Sequence, residues 1–222
     1  MKGYRALATL TLGSDFVQSG QSQTLTLLPP FQNHYTSTNS TETVLDGGLF
    51  LGVEWTLTSP FSGQLGVAGY GDTAFTPQGD VWQFASPGFD TLSYTYQVQH
   101  SRLMLAGKVL STLPQNQCIH PYVSLELGAA FNRASAYQET SLVPGVLPMS
   151  PFSNHRQTSF AYGVGLGVDY SLTPDIRLGM GYQFANLGSA SLGLTSAETT
   201  TETLSLSNLY TNQLRFQLTY LD

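Results

Sequence analysis

The chain has 222 residues, enough for one domain with a sizeable core, and only 10% of them are charged, against roughly 25% in an ordinary soluble domain. A net charge of -6 and a pI near 5.0 argue against the basic patches that nucleic acid requires, and the absence of any apolar run of about 18 residues excludes a transmembrane helix. Low charge, 12% aromatic residues and 22 glycines fit a membrane β-barrel, in which alternation with polar residues dilutes the apolar ones.

Period-two alternation, the mark of a half-buried strand, begins near Gly3. Tyr4, Ala6, Ala8, Leu10 and Leu12 alternate with Arg5, Leu7, Thr9 and Thr11, which predicts a first strand over Gly3–Gly13 rather than an export signal; the signal is expected to be absent from this chain. A polar stretch from Ser14 to Glu42 reads as a loop. A second strand spans Thr43–Leu57, with Leu45, Leu49, Leu51, Val53, Trp55 and Leu57 on one face. After the short turn Thr58-Ser59-Pro60 a third strand covers Phe61–Thr73, and a long Pro- and Gly-containing segment runs to Asp90. In the fourth, Thr91–Leu110, Tyr94, Tyr96 and Val98 are even while Leu103, Leu105 and Val109 are odd. This predicts a β-bulge near His100–Arg102, or an upper part standing clear of the membrane, where the pattern relaxes.

A fifth strand covers Ile119–Arg133, and a long loop follows from Ala134 to Gln157. Two further alternating runs fill Ser159–Leu187, joined by the turn Leu172-Thr173-Pro174-Asp175, which makes them antiparallel neighbours. A Ser/Thr-rich loop precedes the eighth strand, Thr203–Leu221. Short turns and long polar loops alternate along the chain. The prediction is a single domain over residues 1–222, an all-β, up-and-down, eight-stranded antiparallel transmembrane barrel with short periplasmic turns and long extracellular loops.

Charge placement decides which face meets lipid, since a Lys or Arg at mid-membrane costs about 2–4 kcal/mol. Arg5, Glu54, Lys108, Glu126, Asp169, Arg177 and Arg215 all fall opposite the apolar face by parity. They are expected at similar heights in a narrow lumen, as a salt-bridged network that plugs it. Gly163, Gly165, Gly167, Gly179 and Gly181 are expected to make room for the long charged chains of opposite strands. Tyr4, Trp55, Phe61, Tyr170 and Tyr220 lie on the lipid face near short turns or chain ends, as one interfacial aromatic girdle should; Tyr94, Tyr96, Phe131, Phe160 and Tyr182 are candidates for the other.

The run Gly-x-Gly-x-Asp-Tyr-x-Leu-Thr-Pro-x-Ile-x-Leu-x-x-x-Tyr-x-Phe-x-x-Leu-Gly from Gly165 to Gly188 resembles the penultimate hairpin of small eight-stranded outer-membrane proteins, the OmpA transmembrane domain, OmpX, OmpW and opacity/Omp25-like group. The last strand, with alternating Leu214, Phe216, Leu218 and Tyr220, is similar to theirs, although it ends Leu221-Asp222 where the group usually ends in an aromatic residue. The resemblance implies a Gram-negative outer-membrane location. It also implies contact with membrane lipid and lipopolysaccharide.

Three functions are compatible with such a chain. The leading one is a monomeric structural or surface-interaction barrel, plugged inside and displaying four loops to host or cell-surface ligands. The alternative is a narrow channel, or a conduit for small ions or for hydrophobic molecules of the kind the OmpW likeness implies. The remaining class is a lipid-modifying enzyme. His100-Ser101 with Asp72 or Asp90 is the only arrangement that invites a catalytic reading, and no motif supports it, so no catalytic residue is assigned. His34, His100, His120 and His155 are scattered, Cys118 is alone in a turn, and no cofactor or metal is expected. The acidic residues Asp15, Glu42, Asp72, Asp80, Asp90, Glu139, Glu198 and Glu202 are expected in the outer loops.

Overall fold

The computed structural model describes residues 3–38, 40–195 and 202–222. Eight long strands form a closed ring: β1 (Tyr4–Ser19), β2 (Ser40–Thr58), β3 (Phe61–Asp72), β4 (Asp90–Ser111), β5 (Ile119–Ser141), β6 (His155–Ser171), β7 (Ile176–Asn186) and β8 (Tyr210–Leu221). Each pairs antiparallel with its sequence neighbours, and β8 pairs with β1 to close the sheet. The stagger can be followed residue by residue. Starting at Tyr4, successive partners are Trp55, Gly63, Val109, Val123, Leu166, Tyr182 and Leu214, and the circuit returns to β1 at Ser14, ten residues further along. Such a stagger tilts the strands and sets a bore that side chains can fill.

The outward face is apolar over a continuous belt. Leu10 and Leu12 on β1, Leu49 and Leu51 on β2, Leu103 and Leu105 on β4, Leu125 and Leu127 on β5, and Leu214 and Phe216 on β8 are each more than two-fifths exposed. A belt of this extent is stable only under lipid. Tyr4, Phe61, Tyr170 and Tyr220 stand exposed at its short-turn edge with the less exposed Trp55, while Phe131, Phe160 and Tyr182 mark its opposite side.

The predicted bulge in the fourth strand is not where parity suggested. Leu92, Tyr94, Tyr96, Val98, His100, Arg102, Met104 and Ala106 all point inward without a break. Tyr94 and Tyr96 are therefore interior residues and form no part of a girdle. The irregularity lies on β5, where the register with β4 slips between Ser135 and Gln138 and Ala136 takes φ 56°. The upper segments were predicted as loops because their outward residues are polar and only their inward ones apolar, the reverse of the pattern inside lipid.

That reversal reflects a second core above the belt. The connection between β1 and β2 folds into a hairpin, Gln23–Leu28 and Phe31–Tyr35, which pairs with Gln78–Trp82 against β4. Phe152–Ser153 pairs with Gly193–Leu194, and Ala190–Ser191 with Ser205–Leu206. Tyr35, Phe75, Tyr94, Tyr96, Phe152, Leu187, Leu192 and Leu204 are buried together, so all four long connections meet in one apolar cap. Glu198, expected in an outer loop, lies outside the described residues.

Candidate functional site

The interior of the barrel holds its charges in three tiers rather than at one height. At the short-turn end Arg177 makes a two-pronged contact with Glu54, Nη1 to Oε2 at 2.5 Å and Nη2 to Oε1 at 2.9 Å, and Gln64 donates to the same carboxylate at 2.7 Å. Beside it Lys108 Nζ reaches Asp169 Oδ2 at 2.7 Å and Gln217 Oε1 at 3.1 Å. Arg5 does not join them. It lies part-exposed at the mouth, bonded to Asp175 Oδ1 at 2.6 Å and to the carbonyls of Pro174 and Leu221.

The glycine face of β6 and β7 is filled differently from expectation. A Cβ on Gly181 would collide with the Tyr122 hydroxyl, and one on Gly167 would lie 2.6 Å from it. The space therefore seats the ring of Tyr122 from the adjacent β5, and the Lys108 ammonium lies 3.7 Å from the centre of that ring. A charge held over an aromatic face in a largely enclosed lumen gains about 1–2 kcal/mol.

The middle tier centres on Glu126. It accepts from Tyr70 Oη at 2.7 Å, Gln183 Nε2 at 2.8 Å and Arg215 Nη1 at 3.3 Å. The Tyr70 ring lies between two guanidiniums, 4.3 Å from Arg215 and 4.6 Å from Arg102. It can do so because β2 offers Gly48 at that level, where any Cβ would strike the ring.

The uppermost tier was not expected. Arg102 reaches Asp46 at 3.2 Å and Asp15 at 3.9 Å, Arg215 Nε lies 3.4 Å from Asp46, and His100 Nε2 abuts Asp72. Gln213 donates to Asp15 at 2.5 Å. All of these side chains are essentially inaccessible to solvent. Asp15 and Asp72 thus belong to the lumen and not to outer loops. Inward parity offered the signal, since Asp46, Asp72, His100 and Arg102 share register with Glu54, Gln64 and Lys108. The predicted first strand stopped at Gly13, short of Asp15, and the bulge expected at His100–Arg102 broke the parity that places those two side chains inward.

Single ligand atoms from Asp15, Asp72 and His100 come within 4.8 Å of one another, a spacing that can hold a cation. Arg102 and the imidazole of His100 already face those carboxylates. His100 and Asp72 do meet, but Ser101 lies exposed on the opposite, outward face, so no Ser/His/Asp relay is assembled.

Above these tiers the apolar cap closes the bore. Within the lumen a cavity of about 40 Å³ lies beside Tyr70, Tyr122 and Glu126, room for a water or two.

No protein-family model matches this chain, and no curated protein is similar in sequence. Solved structures are. OprG of Pseudomonas aeruginosa superposes with a TM-score of 0.52 at 16% identity, with 96% of this chain and 95% of that one covered. This is a transmembrane β-barrel of the outer-membrane kind. The Escherichia coli outer-membrane protease OmpT (TM-score 0.46, 10% identity, 98% and 97% covered) and Neisserial surface protein A (0.44, 13%, 99% of each) are also similar. At these identities the likeness describes the fold.

Proposed function

We propose that this barrel is a sealed, monomeric, non-catalytic protein of the bacterial outer membrane, set in lipid and lipopolysaccharide, whose working surface is its extracellular cap. The observation that carries this reading is the double closure of the bore. Paired charges crowd the lumen around a void of about 40 Å³, and the aromatic cap lies over them. A path for ions or for hydrophobic molecules needs a continuous opening, and charged rings select ions only where they line one.

The exterior supports a role in surface contact. Phe31, Phe84 and Phe89 are each at least half exposed at the tip of the cap, and their rings pack edge to face at 5.6 and 5.5 Å. Phe84 and Ala85 hold positive φ, 57° and 50°. Exposed aromatic clusters on strained backbone mark sites of association more often than of packing. The decisive experiment is planar-bilayer recording on the refolded protein. We expect a silent bilayer; steady single-channel steps from the wild-type chain would overturn the sealed reading and favour the channel.

A further inference from the structure

Every described Lys or Arg but two reaches a carboxylate: Arg5 on Asp175, Arg102 on Asp46, Lys108 on Asp169, Arg177 on Glu54 and Arg215 on Glu126. The exceptions are Arg133 on β5 and Arg156 on β6. They are directly paired across the two strands, both are exposed, and neither has a side-chain hydrogen bond or ion pair among the described residues.

Their position is specific. Both project from the outer wall. Arg133 lies two residues beyond Phe131, and Arg156 four residues beyond Phe160, the exposed rings at the extracellular edge of the belt. This is headgroup depth, where an outward Arg costs almost nothing, whereas at mid-membrane it would cost several kcal/mol. Two like charges facing each other across a strand pair repel. Among the described residues no Asp or Glu is set against this pair. A juxtaposition that is unfavourable within the protein becomes favourable once an external anion lies between the guanidiniums.

The wall beneath them is shaped to match. A groove of about 510 Å³ runs along the outside at this level, lined by Gly71, Ser101, Phe131 and Thr158 with the two arginines along its edge. A side chain at Gly71 would meet nothing, so the surface there is open.

We propose that Arg133 and Arg156 form a phosphate clamp for an outer-leaflet lipid. Its phosphorylated headgroup is bridged by the two guanidiniums, and the chain below it follows the groove along the β3–β6 wall. Planar guanidiniums suit this because each presents a fork of donors to phosphate oxygens. The groove shares Phe131 with the exposed belt, which points to a phosphorylated lipid with its chain along the wall, lipid A, and not to free phosphate. The proposal rests on the membrane-barrel reading above.

The test uses the full chain refolded in zwitterionic detergent, with native mass spectrometry of added lipid A in its phosphorylated and dephosphorylated forms. Wild type should retain the phosphorylated form about tenfold better, and R133Q/R156Q should lose that preference while binding the dephosphorylated form as wild type does. Inorganic phosphate at equal concentration should neither bind nor compete. Equal retention of both lipids by wild type, an unchanged preference in the double variant, or displacement by inorganic phosphate would each overturn the clamp. The heat-modifiable gel shift of both proteins is read in parallel. Its absence in wild type would remove the barrel reading itself, whereas a normal shift with no lipid preference removes only the clamp.

Discussion

Glu126 is the place where the interior network is most open to test. Its carboxylate satisfies the Tyr70 hydroxyl and the Gln183 amide and pairs with Arg215, all with almost no solvent contact. Glu126→Gln keeps the volume but removes the charge. Arg215 then has only the more distant Asp46 as its acidic partner, at 3.4 Å. Breaking one side of a buried pair costs about 3–5 kcal/mol, and the retained Asp46 contact places this case near the lower end. Arg215→Gln should cost a similar amount, because it leaves Glu126 and Asp46 short of cation. The double variant Glu126→Gln/Arg215→Gln should cost little more than either single change, with a coupling energy of about 2–3 kcal/mol. Urea titration of the refolded barrel measures this, read by fluorescence of Trp55 at the short-turn end and Trp82 in the cap. Single losses below about 1 kcal/mol, or a double variant equal to the sum of the two, would refute the paired-network account.

Three further outcomes follow from the cap and its joints. Tyr35 is fully buried against Tyr94 and Phe152, so Tyr35→Ala should loosen the cap by about 3–5 kcal/mol while the heat-modifiable shift of the barrel persists; limited proteolysis of the loops separates the two effects. Ala136 holds φ 56° at the β5 bulge, and Ala136→Gly should raise the urea midpoint by the equivalent of about 0.5–1 kcal/mol, whereas a fall would show that the bulge is not strained. Burial holds the Glu139 carboxyl above its ordinary pKa, despite hydrogen bonds from Tyr137 and the Met149 amide. A raised carboxyl favours the fold below the ordinary glutamate value and loses that contribution as pH rises through the folded value. Protease cleavage near Met149 should therefore accelerate as pH rises from about 4 to 7, and Glu139→Gln should flatten the profile.

All eight strands were legible in the sequence because lipid imposes one rule on every outward position. Leu214, Phe216, Leu218 and Tyr220 show it as plainly as Val164, Leu166 and Val168. Beyond the lipid the rule inverts, which is why Tyr94 and Tyr96 were read as outward residues and why the extensions of β1 and β5 were read as loops. The same inversion concealed Asp15, since an acidic residue in a polar stretch looks solvated unless the strand is known to continue beneath it; Asp72 lay near the very end of its predicted strand, where a loop residue and an inward one read alike. The role of Tyr122 was hidden for another reason. A glycine stripe announces that something large lies opposite, and only the register shows that it is a neighbouring ring and not a distant charged chain.

The shared cap has a consequence for immunity. Tyr35, Phe75, Phe152 and Leu204 come from four separate connections and are buried in one cluster, so the outer surface is a discontinuous epitope assembled only on the folded chain. Sera raised against isolated loop peptides should bind it poorly, and sera raised against the refolded barrel should bind well. Sequence drift under antibody pressure would be tolerated at outlying positions such as Phe89 and Leu147, because a change at any of the four buried residues loosens the anchorage of the other three loops.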